Sequence, residues 1–498
     1  MKQMSVIPFV PGIFGNSNWD FIPLTTSVNT DISFPRIGTV RKKKPVDFSK
    51  SPFGIGCETL DRELWDPKEI YPWMNSLPVK WARLQTGWAR VEKVKGIYDW
   101  LWLDESVDGL LERGFKPFFN VGYGNTNYTE GDMGYHPLVS DESYSAWKKF
   151  VEKLTVRYKD KIQYFEIWNE PNLKSYWKPG EVDPEKYVRL VRDTAKIIRE
   201  NCPAAVIIGG VLSRLPFDFI RPLFEKGLGK EIDIFSFHPY GVLPESYVDQ
   251  VIALRKFINQ YNPAIKIWQG ECGYPSEPNS TGFAGEPPWT ETIQAKIMLR
   301  RLVTDCSLGI DMSLWFLIVD LHDYPKGTGN VNYKGILRVK PEIKPKLAFS
   351  ALQNLGSTLY GDVHVRNAQI YCNESSTMTA EEQYRTFGAG EKISMKNIYS
   401  TCLNSSGGKI LAFWEIVRAA DTCDDENIDL FLWDWEGEGY NEPVLVDLMT
   451  GSIYDLAGNC KRINDNGKWR INHEAQVFEK LPLRDYPLFI MEKNMVIA

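Results

Sequence analysis

From residue 53 onward, short apolar runs alternate with segments of helical periodicity. The runs are FGIGC at 53–57, VKWARLQ at 79–85, KPFFNVGY at 116–123 and IQYFEIW at 162–168. They continue with AAVIIGG at 204–210, IDIFSFH at 232–238, AIKIWQG at 264–270 and DMSLWFLIV at 311–319. Short apolar runs of this kind read as strands covered on both faces. Between them, 100–113, 141–158, 184–200, 246–260 and 291–308 are helix candidates; LDESVDGLLERG at 103–114 has apolar positions at helical spacing and a glycine stop. Strands alternating with helices predict a parallel (β/α)₈ barrel or an open doubly wound sheet. The count of eight favours the barrel, and so do the polar residues gathered at the C-terminal ends of several runs. No GxGxxG follows the first run and no GxxxxGK[ST] occurs, so the nucleotide-binding version lacks its phosphate loop.

The pattern changes toward both ends. Residues 1–50 are rich in Pro and Thr and lack helical periodicity, which reads as an extended lead-in. After about residue 355, YGDVHVRN, KILAFWEIV, IDLFLWDW, PVLVDLMTGSIYDL and YPLFIME are separated by Gly, Asn and Asp turns. They predict an antiparallel β-sandwich, with the lead-in as a candidate to pack on it. The expected division is lead-in 1–50, barrel 51–353 and sandwich 354–498.

Composition narrows the classes. Over 498 residues the chain is 43% hydrophobic and 24% charged, an ordinary globular mix, and its net charge of −6 gives no polyanion-binding surface. RKKKP at 41–45 reads as a solvated linker, so no nucleic-acid partner is expected. No stretch reaches the roughly 18 apolar residues of a membrane span. MKQMSVIPFVPGIFG is a poor signal peptide, its apolar stretch short and broken by two prolines. A signal removed beforehand would favour a secreted or periplasmic protein; otherwise the cytoplasm is expected. Eight Cys without a CxxC pair or a His/Cys cluster argue against zinc. Cys372, Cys402, Cys423 and Cys460 could pair in an oxidising compartment, with free buried thiols the alternative. Sequons at Asn127, Asn279, Asn373 and Asn404 are as many as chance supplies in a chain this long. The 17 Trp exceed ordinary packing needs and suggest apolar platforms for sugars.

One run ends oddly. FEIWNEPN at 165–172 leads from apolar residues straight to Asn169, Glu170 and Pro171. Neighbours on a strand point to opposite faces. A bulged or turned strand end could still aim both Asn169 and Glu170 into one cleft. Pro171 removes the next backbone donor and ends the pairing. KIWQGECGY at 266–274 ends in the same way at Glu271, 101 positions and three strands later, across the mouth of an eight-stranded barrel. Two carboxylates facing across a barrel mouth are the layout of glycosidic bond cleavage. A second NEP at 441–443 lies in EGEGYNEPVL, a Gly-rich turn, and Glu442 is expected to be an exposed loop residue.

YFEIWNEPN together with KIWQGECGY resembles the acid/base and nucleophile strands of the clan A retaining glycoside hydrolases. WARVEKVKGIYDWLWLDESVDGLLERGFKP, DPEKYVRLVRDTAKIIRENCPAAVIIGG and IDIFSFHPYG resemble further parts of that (β/α)₈ barrel. The nearest resemblance is to family 39, which holds β-xylosidases and α-L-iduronidases. It implies Glu170 as acid/base and Glu271 as nucleophile. Asn169 would hold the sugar 2-hydroxyl and Arg83 would pair with the nucleophile. His238 and Tyr240 would stand beside Glu271, Trp315 would form an aromatic floor, and Trp177 would line the cleft. A buried salt bridge is the alternative for Arg83, a structural hydrogen bond for His238 and Tyr240, and barrel core for Trp315. Gly270, where a hydroxyl residue is common, and Cys272 depart from the pattern. The implied reaction needs no metal or organic cofactor and takes an oligosaccharide or polysaccharide. A non-catalytic sugar-binding protein and a transglycosylase are the rival readings.

Overall fold

The structure, a computed structural model, describes residues 32–241, 243–282, 288–374, 398–423, 426–434, 436–437, 439–463 and 474–497. The signal-peptide question and most of the lead-in lie outside the described residues. The lead-in's described part contributes β1 (Arg36–Thr39), which pairs antiparallel with Ser452–Asp455 of the C-terminal region.

Eight strands then close a parallel barrel in chain order: β2 (Phe53–Gly56), β3 (Trp81–Gln85), β4 (Lys116–Val121), β5 (Tyr164–Ile167), β6 (Val206–Ser213), β7 (Ile234–His238), β8 (Lys266–Cys272) and β9 (Met312–Trp315). All eight fall on the apolar runs. The helices around them are α1 (Pro67–Met74), α2 (Trp88–Val91), α3 (Leu101–Glu112), α4 (Asp141–Tyr158), α5 (Pro184–Asn201), α6 (Phe217–Glu225), α7 (Val248–Tyr261) and α8 (Glu291–Ser307). Their starts are chemically marked. The Ser140, Asp183 and Thr290 side chains accept the first free amides of α4, α5 and α8, and Pro184 occupies the first turn of α5.

A plug of side chains fills one end of the barrel. Trp81 and Tyr164, at the starts of β3 and β5, pack edge-on with centroids 4.9 Å apart. Trp268 stands against Trp81 at 4.9 Å and stacks on Tyr164 at 5.6 Å. Phe118, Ile208, Ile234, Met312 and Leu314 complete the plug. That apolar layer seals the N-terminal end and leaves the C-terminal mouth for polar groups.

A further helix, α9 (Leu347–Thr358), packs against α8. The boundary expected at 353/354 therefore falls inside a helix. Its mostly apolar sequence hides the helical period, and the change of texture to short β runs begins only after it. Beyond it lie two antiparallel sheets, one of seven strands that includes β1 and one of four. Alternation sorts the inner strand Glu426–Asp434: Ile428, Leu430 and Leu432 join the main core, while Phe431 and Trp433 pack on the opposite face with Ile463 and Val477. Asn441 and Glu442 of the second NEP are exposed, as expected.

Buried ion pairs join barrel and sandwich. Arg300 of α8 donates to both oxygens of Glu245 at 2.8 Å and to the Val417 carbonyl at 2.7 Å. Trp414 of the sandwich donates to the same Glu245 at 2.7 Å. Lys296 pairs with Asp485 at 2.8 Å. All eight cysteines are free thiols. Among the described residues, no helix is long and apolar enough to cross a membrane, and no group of three or more His, Cys, Asp or Glu could hold a metal.

Candidate active site

The C-terminal ends of β3, β5, β7 and β8 bring six of the eight expected residues into one network. Its centre is Arg83, completely buried. A guanidinium has five N–H donors, and each here has an acceptor. Nε and Nη2 donate to Glu166 Oε1, at 2.7 and 2.5 Å, and Nη2 also reaches Asn169 Oδ1 at 2.9 Å. Nη1 divides between Glu271 Oε2 at 2.6 Å and Glu58 Oε1 at 3.1 Å. The other oxygen of Glu271 accepts from the Tyr240 hydroxyl at 2.7 Å. Across the mouth, His238 Nδ1 lies 3.1 Å from Glu170 Oε1.

The backbone explains how neighbours on one strand face one cleft. Strand β5 ends at Ile167, and the chain turns with Trp168 at φ 70° and Glu170 at φ 44°. Both are left-handed, a region costly for side chains with a Cβ and often found at functional sites. A turn, and not a bulge in β5, presents Asn169 and Glu170 together. It is held by bonds from Trp168 N to Val121 O at 2.9 Å and from Glu170 N to Val211 O at 2.8 Å. Asn120 Nδ2 donates to the Trp168 carbonyl at 2.6 Å and to Glu166 at 2.9 Å. On β8 the register with β9 shifts between Gln269 and Cys272, just where Glu271 emerges. Gly270 is required there: a Cβ would sit 2.1 Å from Ser236 Oγ and 3.1 Å from Glu166 Oε2. This contact accounts for the departure at that position.

The electrostatics differ between the carboxylates. Burial alone would raise the Glu271 pKa, but the charges of His238 and Arg83, the Tyr240 hydrogen bond and the charge of Lys334 outweigh it and hold the group below its ordinary value. Burial would depress the His238 imidazole; the charge of Glu271 and the bond to Glu170 instead raise it. Glu58 behaves oppositely. Burial dominates, only partly offset by Arg83, and its pKa is pushed up to about 7. Burial also brings the Lys334 ammonium down to about 8, against the pull of Glu271.

Trp315 and Trp177 are not brought to the cleft surface, for both are completely buried. Trp315 donates its N–H to the Lys334 carbonyl at 3.2 Å, and Trp177 packs between Trp168, Tyr187 and His136. Among the described residues six Trp (Trp88, Trp147, Trp168, Trp177, Trp315 and Trp414) are completely buried, so much of the surplus serves packing. The aromatic walls are other residues. Phe316, next to Trp315, meets the Tyr240 ring at 6.3 Å, and Lys334 Nζ lies 4.3 Å over that ring. Tyr123 stacks on Tyr176 at 5.8 Å, with the Arg62 guanidinium 5.8 Å above the Tyr123 ring. Burial, with the charges of both Glu170 and Glu271 adding to it, pushes the phenols of Tyr176 and Tyr324 up.

Sequence reasoning missed Glu58, Glu166, Asn120, Lys334 and Phe316. Glu166 carried a signal, a carboxylate inside the apolar run YFEIW. Lys334 carried none, lying in a long connection after the last barrel strand.

A curated beta-xylosidase of Geobacillus stearothermophilus is 24% identical over 164 residues, 30% of this chain and 32% of its own. One of Caldicellulosiruptor saccharolyticus is 28% identical over 151 residues, 28% and 30% of the two chains. The chain thus matches about a third of the length of these relatives. Among solved structures, a family 39 glycoside hydrolase of Bacteroides cellulosilyticus WH2 superimposes with a TM-score of 0.59 at 16% identity, covering 89% of this chain and 81% of its own. A family 39 beta-xylosidase of Caulobacter crescentus gives 0.52 at 17%, covering 91% and 98%. These two likenesses show the fold. The sequence model of glycosyl hydrolases family 39 matches residues 83–357, more than half of the chain and a span that holds Arg83, Glu170 and Glu271, and the chain therefore belongs to family 39 of the glycosyl hydrolases.

Proposed function

We propose that this protein is a retaining glycoside hydrolase that works by double displacement, with Glu271 as nucleophile and Glu170 as acid/base. The observation that carries the reading is the unequal treatment of the two carboxylates. Glu271 is gripped on both oxygens, by Arg83 and by Tyr240, and is held ionised. Among the described residues the Glu170 carboxyl has one hydrogen-bond partner, His238, and it stands on a left-handed turn opposite. An ionised, oriented carboxylate attacks; a carboxyl with a free oxygen exchanges a proton with the leaving group.

In the first step Glu271 forms a bond to the anomeric carbon while the glycosidic C–O bond breaks and Glu170 protonates the departing oxygen. In the second, Glu170 takes a proton from water as that water displaces Glu271. In this reaction Asn169, held by the Arg83 guanidinium, bonds the sugar hydroxyl next to the reacting carbon. The curated relatives are beta-xylosidases, so β-xylosides are the first substrates to offer.

The test is to follow an aryl β-xyloside by NMR and read the first product anomer. Retention is expected, and inversion would end the double-displacement reading. Replacing Glu170 by Ala should slow poor leaving groups far more than good ones, with azide restoring the rate as a β-glycosyl azide. Loss of all substrates alike, without rescue, would remove Glu170 from the acid/base role.

A further inference from the structure

Glu58 has no place in the reaction as described, yet it shares a nitrogen with the nucleophile. It stands two residues beyond β2 and is 1% exposed. Its Oε1 accepts from Arg83 Nη1, the nitrogen that also serves Glu271. Among the described residues its buried Oε2 has no hydrogen-bond partner, and it leans so close to Gly56 that a Cβ there would sit 2.1 Å away. A bare anionic oxygen in such a place is costly, whereas a protonated carboxyl is not.

The charge count points the same way. Arg83 brings one positive charge, and Glu58, Glu166 and Glu271 all bond to it. The ionisable groups facing Glu58 are Arg83 from β3, Glu271 from β8, the adjoining Cys57 and Tyr324 from the connection after β9. Only Arg83 among them favours its ionised form. Glu271 opposes it, and that opposition ends when Glu271 becomes an ester.

From this geometry we infer that Glu58 is a positioning residue that acts through Arg83: protonated in the free enzyme, it releases its proton to bulk water when Glu271 is esterified and replaces Glu271 as the counter-ion of Arg83. The step balances. The glycosidic C–O bond breaks, the Glu271 Oε–carbon bond forms, and Glu58–COOH becomes Glu58–COO⁻ plus one solvated proton. Hydrolysis of the ester restores the Glu271 carboxylate, and Glu58 regains a proton from solvent. Arg83 keeps its orientation and its charge balance through the cycle. The inference rests on the double-displacement reading above.

The test uses the full chain with Glu170→Gln as background, which removes the acid/base proton from the count. A 2-deoxy-2-fluoro-β-xylosyl fluoride needs no acid to leave, so it can label the nucleophile in this background. Labelling is followed near pH 6 with an indicator dye in weak buffer. Esterification also lowers the His238 pKa, so the difference between variants decides. Glu170→Gln should release about one proton more per labelled site than Glu58→Gln/Glu170→Gln. Difference infrared spectra in H2O and D2O give a second readout: the deuteration-sensitive carboxyl stretch should vanish on labelling in Glu170→Gln, a change that neither an imidazole nor the new ester carbonyl, which is insensitive to deuteration, can produce. If the double variant does not fold, the infrared band alone decides. Equal proton counts, or a carboxyl band that persists, would overturn the inference. Peptide mass spectrometry separates the two readings. A label absent from Glu271 defeats double displacement itself, whereas a label on Glu271 with unchanged proton counts defeats only the role of Glu58.

Discussion

Replacing Gly270 by Ala tests how tightly the floor of the site is built. The new methyl would lie 2.1 Å from Ser236 Oγ, 3.1 Å from Glu166 Oε2 and 3.4 Å from His238 Nε2. Carbon and oxygen cannot approach to 2.1 Å, so about 1 Å must be found. If Ser236 rotates, its 3.2 Å bond to Glu166 is lost, worth about 1 kcal/mol. Overpacking a dense core adds about 1–3 kcal/mol. If β8 yields instead, Glu271 moves with it, and a misplacement of about 1 Å can cost about 100-fold in rate. Both routes lead to a lower melting midpoint and a lower kcat/KM, measured together on one aryl β-xyloside. Ser236→Ala removes the nearest atom, so Gly270→Ala/Ser236→Ala should recover part of the loss, a coupling of about 0.5–3 kcal/mol in a double-mutant cycle. An unchanged Gly270→Ala enzyme, or single effects that simply add, would refute the account of this close approach.

Three further outcomes follow from the same network. Lys334→Met removes a cation that helps keep Glu271 ionised, so the acid limb of the kcat/KM–pH profile should move to higher pH; an unmoved limb would contradict the stated coupling. Tyr240→Phe deletes a charge-assisted bond worth about 1.5–3 kcal/mol and should move that limb in the same direction, with the largest loss of rate at low pH. Arg300→Met leaves Glu245 buried without its cation and should destabilise the protein by about 3–5 kcal/mol in denaturant titrations. Burial opposes ionisation of Glu245, but Arg300 outweighs it and holds the pKa below its ordinary value of 4.5. Its contribution to stability is then present above pH 4.5 and is lost as pH falls through the lowered value. A wild-type protein showing no acid-linked loss that Arg300→Met abolishes would argue against this.

The barrel was legible because a parallel sheet covered on both faces writes itself as apolar runs, and all eight runs became strands. The short helix α6 and the helix α9 were not legible. Pro222 interrupts α6, and α9 buries polar Asn354, Ser357 and Thr358 along with its apolar residues, which blurs the period. Within the candidate site, the residues legible at strand ends were Asn169 with Glu170 and Gly270 with Glu271, while His238 and Tyr240 were named only through the family resemblance. Arg83 was named through the family resemblance, which pairs it with the nucleophile. Its full set of acceptors was hidden, because Glu58 after β2, Glu166 with Asn169 at the end of β5, and Glu271 on β8 are far apart in the chain and meet only when the barrel closes. The two tryptophans failed for a different reason. Residue type tells what a side chain could do, while the direction of one residue on a strand end decides whether it does. Trp315 faces the packing behind the wall, and its neighbour Phe316 takes the side toward Tyr240. The same lesson applies to charge. Three carboxylates around one guanidinium cannot all be ionised cheaply in a buried site, and only the bonding pattern says which one yields. Glu271 has both oxygens satisfied, Glu166 accepts from Arg83, Asn120 and Ser236, and Glu58 alone leaves an oxygen bare. In the proposed reaction the proton sits on Glu58, which leaves Glu271, the proposed nucleophile, charged.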